Sequence, residues 1–263
     1  MPELPEVESI RRQLEPELIG RRVTSLDHEP QRRFLDLHLL VGRSILGVGR
    51  RGKYLLCPLD QHRELVVHLG MTGSLRFAAA EDHTRARLQL DDGRTLIYRD
   101  PRRFGRLAVV AAGDHSAIPT LARLGPEPLT DGFDRDRFAA ALAATRAPVK
   151  AALLAQRLVA GIGNIYADEA LWTARIHPGS RRVGRGRARE LHRAIREVLT
   201  QAVEREGTTF RDYRMVNGQS GRNADFLQAY GRAGSPCRRC GAPLRRVVIA
   251  QRGTTYCPAC QRR

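Results

Sequence analysis

At 263 residues the chain is long enough for one large domain or two ordinary ones, and its 42% hydrophobic content supports a real core, which excludes a disordered polymer. Lysine and arginine total 45 against 28 acidic residues, giving a net charge of +17 and a pI near 11.0; such a surface attracts polyanions, nucleic acid first, with a ribosome-associated or generally adhesive protein as the plainer alternative. No apolar run approaches a membrane span, the longest being Phe138 to Ala144, and the start lacks a signal-peptide pattern, so the expectation is a soluble cytoplasmic protein with no membrane partner.

The chain opens MPELPEVE. Removal of Met1 would leave a free secondary amine at Pro2, with Glu3 beside it and Glu6 and Glu8 close behind. That crowding is either incidental or a nucleophile with its acid and base, and these eight residues alone leave both open. Val7, Ile10, Leu14 and Leu18 then recur at spacings of three and four, one apolar stripe of a helix. Pro5 suits the first helical turn, and Glu6 and Glu8 suit the positive end of the helix dipole.

The pattern next shortens. Runs near 33–40, 44–49, 53–58, 64–69, 85–91, 94–99 and 106–111 read as strands; Arg85 to Leu90 alternates with period two, and Asp91-Asp92-Gly93 marks a turn. Successive short strands predict a β-sandwich. Gly125-Pro126-Glu127-Pro128 reads as a rigid linker, and from 134 onward the periodicity is helical, with Leu191, Ile195, Val198, Leu199, Ala202 and Val203 along one face of a long helix. The stretch 207–235, rich in Gly, Asn, Ser and Asp, reads as a long loop of the kind that binds or covers a ligand. Arg181, Arg182, Arg185, Arg187 and Arg189 form either a solvated surface or a phosphate-binding one.

Only two of the 45 cationic residues are lysines, Lys53 and Lys150. A guanidinium stays protonated and cannot attack a carbonyl carbon. Schiff-base chemistry here therefore has three possible amines: Lys53, Lys150 and the N-terminal nitrogen.

Near the C-terminus, Cys237-Arg-Arg-Cys240 and Cys257-Pro-Ala-Cys260 are separated by sixteen residues. This spacing predicts a four-thiolate zinc site, one structural Zn2+ with no open coordination position. The intervening residues alternate as a β-hairpin with Arg252 near its tip, and a ribbon this small takes its stability from the metal. Cys57, alone in an apolar strand, reads as a core residue.

Taken together, MPELPE, RRGKYLL at 50–56, HLGMTGSL at 68–75, DPRRFG at 100–105, GIGNIYADEAL at 161–171, YGRAGSPCRRCG at 230–241 and AQRGTTYC at 250–257 resemble the formamidopyrimidine-DNA glycosylases from the first residue to the last zinc ligand. Endonuclease VIII shares the start and the zinc ribbon but is less similar at HLGM and DPRRFG. The resemblance implies an α+β fold: an N-terminal β-sandwich with its helix over 1–112, a linker over 113–133, a helical domain with a helix-two-turns-helix over 134–234 and a zinc ribbon over 235–263. It implies an enzyme acting on double-stranded DNA that carries oxidised purines or abasic sites, excising the base and nicking the strand by elimination; the sequence carries no oligomer signal, and a monomer is expected.

Residue by residue, the resemblance makes Pro2 the nucleophile, Glu3 the acid/base on the deoxyribose and Glu6 its support among the DNA-binding residues. Lys53 becomes the strand lysine near the lesion and the alternative nucleophile. Met71, Arg102 and Phe104 match residues that fill the gap left by a flipped base, a task suited to a flexible thioether, a guanidinium that can meet an orphaned cytosine and an aromatic ring. Asn164 and Arg252 match the clamp on the flanking phosphates; Lys150 and Tyr230 read either as further phosphate contacts or as surface residues. The loop 214–225 departs from the family, which commonly carries Tyr-Phe after the glycine; here Arg222-Asn223-Ala224 follows Gly221, which bears on lesion preference. Two alternatives remain at this point: an endonuclease VIII-like enzyme for oxidised pyrimidines, and a non-catalytic zinc-ribbon protein that binds damaged DNA.

Overall fold

The computed structural model describes residues 1–210 and 213–262. Arg211 and Asp212 fall in the expected loop 207–235 and Arg263 ends the expected ribbon; all three lie outside the described residues. The chain divides into two compact units, one of residues 1–122 with 205–222, the other of 123–204 with 223–263.

In the first unit, α1 (Leu4–Leu18) starts with a capping box in which Glu3 and Glu6 satisfy each other's backbone N–H, with proline in the first turn. Val7, Ile10, Leu14 and Leu18 are each at most 2% exposed, as the stripe predicts. Nine strands follow: β1 (Val23–His28), β2 (Phe34–Leu35), β3 (Gly49–Arg51), β4 (Tyr54–Leu59), β5 (Arg63–His68), β6 (Ser74–Phe77), β7 (Thr84–Leu90), β8 (Thr95–Arg99) and β9 (Arg106–Ala111), before the single turn of α2 (Pro119–Ala122). They form a four-stranded sheet, β1-β7-β8-β6, and a five-stranded sheet, β2-β9-β5-β4-β3. Leu88, Leu90, Leu96 and Tyr98 from the first sheet and Leu55, Leu65, Val67 and Leu107 from the second share one core with α1. Burying each such side chain contributes about 1.5–3 kcal/mol.

The expected strands 53–58, 64–69, 85–91, 94–99 and 106–111 are present, and the structure corrects the others. Residues 33–40 split into β2 and a 3-10 turn at Leu37–Leu40, and 44–49 is strand only at its last residue. Ile45 and Val48 are buried, but Gly47 and Gly49 weaken the strand, and the run is held by single bridges from Ser44 to Arg22 and from Ile45 to Leu59. Conversely, β1 and β6 are strands that the sequence pattern does not mark. Both are edge strands, and β1 buries only Val23, so little hydrophobic alternation signals it.

The second unit holds α3 (Arg135–Ala144), α4 (Val149–Leu154), α5 (Asn164–Thr173), α6 (Arg185–Glu204) and a hairpin of β10 (Arg245–Ile249) and β11 (Arg252–Tyr256). Asp134 caps α3 by accepting from the amides of Asp136 and Arg137 at 3.0 and 2.7 Å. The apolar face of α6 is buried, with Leu191, Ile195, Leu199, Ala202 and Val203 on it. A 3-10 turn at Asn223–Phe226 is the longest regular element among the described residues between α6 and β10.

Candidate nucleic-acid interface

Pro2 and Glu3 are buried at the start of α1, with Met1 50% exposed ahead of them. The Glu3 amide donates to Glu6 Oε2 at 2.7 Å, and Glu6 Oε1 accepts from the Thr208 amide at 2.7 Å. Glu6 is 1% exposed and both its oxygens accept from backbone amides of the chain itself. It is a brace between the helix start and the segment 205–222. Tyr213 adds to that brace, its hydroxyl donating to the Glu6 carbonyl at 3.2 Å.

Lys53 sits in the two-residue turn between β3 and β4 and is 3% exposed. Its charge reaches His68, whose ring also packs 4.6 Å from that of Tyr54. Burial first, then Lys53, Arg106 and Arg33, push the His68 imidazole down to about 4. The Gly70 amide donates to His68 Nδ1 at 3.1 Å, so the neutral ring carries its proton on Nε2.

Two loops of the first unit carry the expected insertion residues. Met71 is 38% exposed and Phe104 42% exposed, and the Arg102 guanidinium lies 4.9 Å from the Phe104 ring centre. The loops touch backbone to backbone. A Cβ on Gly70, which sits at φ +64°, would lie 2.6 Å from the Gly105 nitrogen, and one on Gly105 would overlap the Tyr98 hydroxyl at 1.6 Å. Among them lies Asp100, 1% exposed, accepting from Thr72 Oγ1 at 2.6 Å, from the Gly105 amide at 2.8 Å and from the Tyr98 hydroxyl at 3.2 Å.

In the second unit the hairpin turns at Ala250-Gln251, both with positive φ (49° and 58°), and Arg252 follows, exposed. This is a type I′ turn built without glycine, each residue of which costs about 1–2 kcal/mol. Its flank is gripped from two sides. Asn164, the first residue of α5, donates from Nδ2 to the Gly253 carbonyl at 3.1 Å. Lys150 Nζ donates to Asp168 Oδ1 at 2.6 Å, Thr254 Oγ1 at 2.9 Å and the Gly253 carbonyl at 3.3 Å. Lys150 is fully buried among α4, α5 and β11, and its ammonium faces these partners. Asp168 Oδ2 also accepts from the Thr255 amide at 2.8 Å. Burial pushes the Asp168 carboxyl up to about 6 against the pull of Lys150.

Tyr230 is half-buried, and its amide, with those of Gln228 and Ala229, donates to the Glu169 carboxylate, each at 2.8 Å. Burial raises the Glu169 carboxyl while these three amides lower it. Beside this turn, the sulfurs of Cys237, Cys240, Cys257 and Cys260 all lie within 4.8 Å of one another. Four thiolates about 2.3 Å from one ion require that kind of clustering, so the set fits a single structural zinc. Trp172 Nε1 donates to Cys237 Sγ at 3.4 Å, and the Arg239 guanidinium stacks 3.9 Å over the indole.

The family models account for nearly the whole chain. Residues 1–107 match the formamidopyrimidine-DNA glycosylase N-terminal domain, 124–214 the H2TH domain of the same enzymes, and 234–263 a zinc finger found in FPG and IleRS. The chain belongs to the formamidopyrimidine-DNA glycosylase family. Curated members from Deinococcus radiodurans and Thermus thermophilus are 46% and 50% identical, covering 99% of this chain and 97% and 98% of theirs. The crystal structure of the MutM (Fpg) protein from Thermus thermophilus superimposes with a TM-score of 0.95 at 50% identity, over 99% and 98% of the two chains. A Lactococcus lactis Fpg mutant in complex with DNA containing Fapy-dG superimposes with a TM-score of 0.92 at 36% identity, over the full length of both.

Within this formamidopyrimidine-DNA glycosylase fold, sequence reasoning missed Asp100, Asp168 and Glu169. Asp168 and Glu169 carried a signal, two adjacent acids in the otherwise apolar run of α5. Asp100 carried none, since Asp before Pro is an ordinary turn residue. Among the described residues, no helix is long and apolar enough to cross a membrane.

Proposed function

We propose that the chain is a base-excision-repair enzyme that removes oxidised purines, 8-oxoguanine and formamidopyrimidines, from double-stranded DNA and then nicks the abasic strand. It works as a monomer in the cytoplasm, where its thiols stay reduced. Once Met1 is cleaved, the Pro2 nitrogen attacks C1′ of the flipped nucleotide and the base departs. The sugar ring then opens at the C1′–O4′ bond as O4′ takes a proton, giving an iminium that, formed from a secondary amine, has no N–H to lose, so the cation persists as an electron sink. Loss of a C2′ proton then expels the 3′ phosphate, and a second elimination expels the 5′ phosphate. Glu3 is the acid/base on the deoxyribose, and Lys53 supplies positive charge near the lesion.

Met71, Arg102 and Phe104 fill the gap in the stack, with Arg102 meeting the orphaned cytosine. Asn164, Tyr230 and Arg252 hold phosphates of the damaged strand, and the zinc keeps the hairpin that presents Arg252 folded. The observation that carries this reading is the buried Pro2-Glu3 pair, fixed in place by the reciprocal Glu3–Glu6 cap.

Borohydride trapping tests it. Protein is mixed with a duplex carrying 8-oxoguanine opposite cytosine, reduced, and the crosslink mapped by peptide mass spectrometry. A crosslink at Pro2 is expected. One at Lys53 would remove Pro2 as nucleophile, and none even on a pre-formed abasic site would leave a DNA-binding protein. Trapping on the abasic duplex alone would mean that Arg222 and its neighbours have changed the lesion read.

A further inference from the structure

We propose that Asp100 is the positioning residue that locks the Met71 loop and the Arg102–Phe104 loop into one rigid wedge, making opposite-base recognition and gap filling a single coupled act. The proposal rests on the reading of Met71, Arg102 and Phe104 given above.

The geometry is a closed ring of hydrogen bonds. Asp100 Oδ1 accepts the Thr72 hydroxyl at 2.6 Å, next to Met71. Asp100 Oδ2 accepts the Gly105 amide at 2.8 Å, next to Phe104. Thr72 Oγ1 in turn accepts the Arg102 amide at 3.3 Å, so one hydroxyl joins both loops. The carboxylate cannot drift. The Asp100 amide donates to the His83 carbonyl at 3.0 Å, its own carbonyl accepts from Arg85 Nε at 3.0 Å and from the Arg103 amide at 3.3 Å, and Tyr98 closes the remaining side.

The donor set requires a carboxylate. Thr72, Tyr98 and Gly105 all point hydrogens at it, and an amide N–H has no alternative role. Asparagine offers one oxygen. With that oxygen on Gly105, the NH2 of the substituted side chain faces Thr72, whose hydroxyl would then accept from both that NH2 and the Arg102 amide and leave its own hydrogen without the carboxylate partner. Meanwhile Met71, Arg102 and Phe104 expose their side chains while their backbones are fixed, the arrangement that inserts into DNA without ordering a loop at the moment of binding.

The test measures single-turnover excision of 8-oxoguanine opposite cytosine and opposite adenine, with lyase action on a single-stranded abasic oligonucleotide, which has no opposite base, as reference. Asp100→Asn and Thr72→Val are expected to reduce the cytosine-over-adenine ratio about tenfold, the scale on which small displacements of positioned groups act, while the single-strand rate stays within about twofold. Thr72→Ser keeps the hydroxyl and should restore the ratio. Combined with Arg102→Ala, Thr72→Val should add almost nothing further to the loss of discrimination. An unchanged ratio in Asp100→Asn and Thr72→Val, with a changed one in Arg102→Ala, would overturn the wedge lock. If Met71→Ala, Arg102→Ala and Phe104→Ala also left the ratio unchanged, the insertion reading beneath it would fall instead. A Thr72→Ser ratio as poor as that of Thr72→Val would also overturn the lock, since it would point to packing.

Discussion

Glu6 Oε1 accepts the backbone N–H of Thr208, 202 residues away, at 2.7 Å, while its other oxygen holds the Glu3 amide at the same distance. One buried carboxylate thus fixes the start of α1 behind Pro2, the proposed nucleophile, and anchors the segment that runs towards Gly221. Glu6→Gln replaces one acceptor with a donor and leaves an amide N–H facing it. Thermal denaturation should show a loss of about 1–3 kcal/mol. Borohydride trapping on an abasic duplex should slow as well, because Glu3 loses its register. A stable variant with normal trapping would show that the brace is dispensable.

Arg252 and Lys150 should separate cleanly in the salt dependence of DNA binding. Arg252 is exposed and proposed to hold a phosphate, so Arg252→Ala should lower the slope of log K against log[salt] by about one. Lys150→Met should leave that slope unchanged, since the ammonium is fully buried against Asp168. Its effect is on stability instead: an unpaired carboxylate in that position costs about 3–5 kcal/mol, and adding Asp168→Leu should recover much of it. A lowered slope in Lys150→Met would restore Lys150 as a phosphate contact.

His68 lies beside Lys53, and burial with neighbouring cations moves its pKa down to about 4. Between that value and the ordinary histidine value of about 6.5 the unfolded chain binds more protons than the folded one, so this group makes stability fall as pH drops through that window and leaves it unaffected above. Nitrogen NMR of the imidazole should show the Nε2–H tautomer from neutral pH to about pH 5. Lys53→Met removes the cation with the largest depressing effect on the ring and should raise the titration midpoint, while Pro2 remains the residue crosslinked. A midpoint near 6.5 in the unaltered protein would mean that the ring is open to water.

Much of this architecture is legible in the sequence. The stripe Val7-Ile10-Leu14-Leu18, the alternation through Leu88 and Leu90 and the cysteine spacing each express a periodicity or a ligand geometry that residues carry locally. What escapes depends on partners distant in sequence. Whether Lys150 meets solvent or Asp168 is decided by how α4 packs on α5 and β11, and nothing in Val149-Lys150-Ala151 records it. Asp100 reads as a turn residue because its donors are spread over Thr72, Tyr98 and Gly105. Edge strand β1 stays hidden because a strand that buries one side chain leaves almost no pattern.

Zinc removal offers a direct optical test, because Trp172 is the only tryptophan in the chain and its indole N–H meets Cys237 Sγ at 3.4 Å. The local core consists of Trp172, Ala229 and Leu244 with two of the metal ligands, Cys237 and Cys257, so little apolar packing remains once the ion is gone. A strong chelator should shift Trp172 emission to the red as the ring becomes solvated and the Arg239 stack is lost. DNA affinity should fall with it, because β10 and β11 no longer hold the turn that presents Arg252. Both changes should reverse on adding one equivalent of Zn2+. Stoichiometric metal release with unchanged emission and unchanged affinity would show that the hairpin stands on its own packing and that the metal is not what holds it.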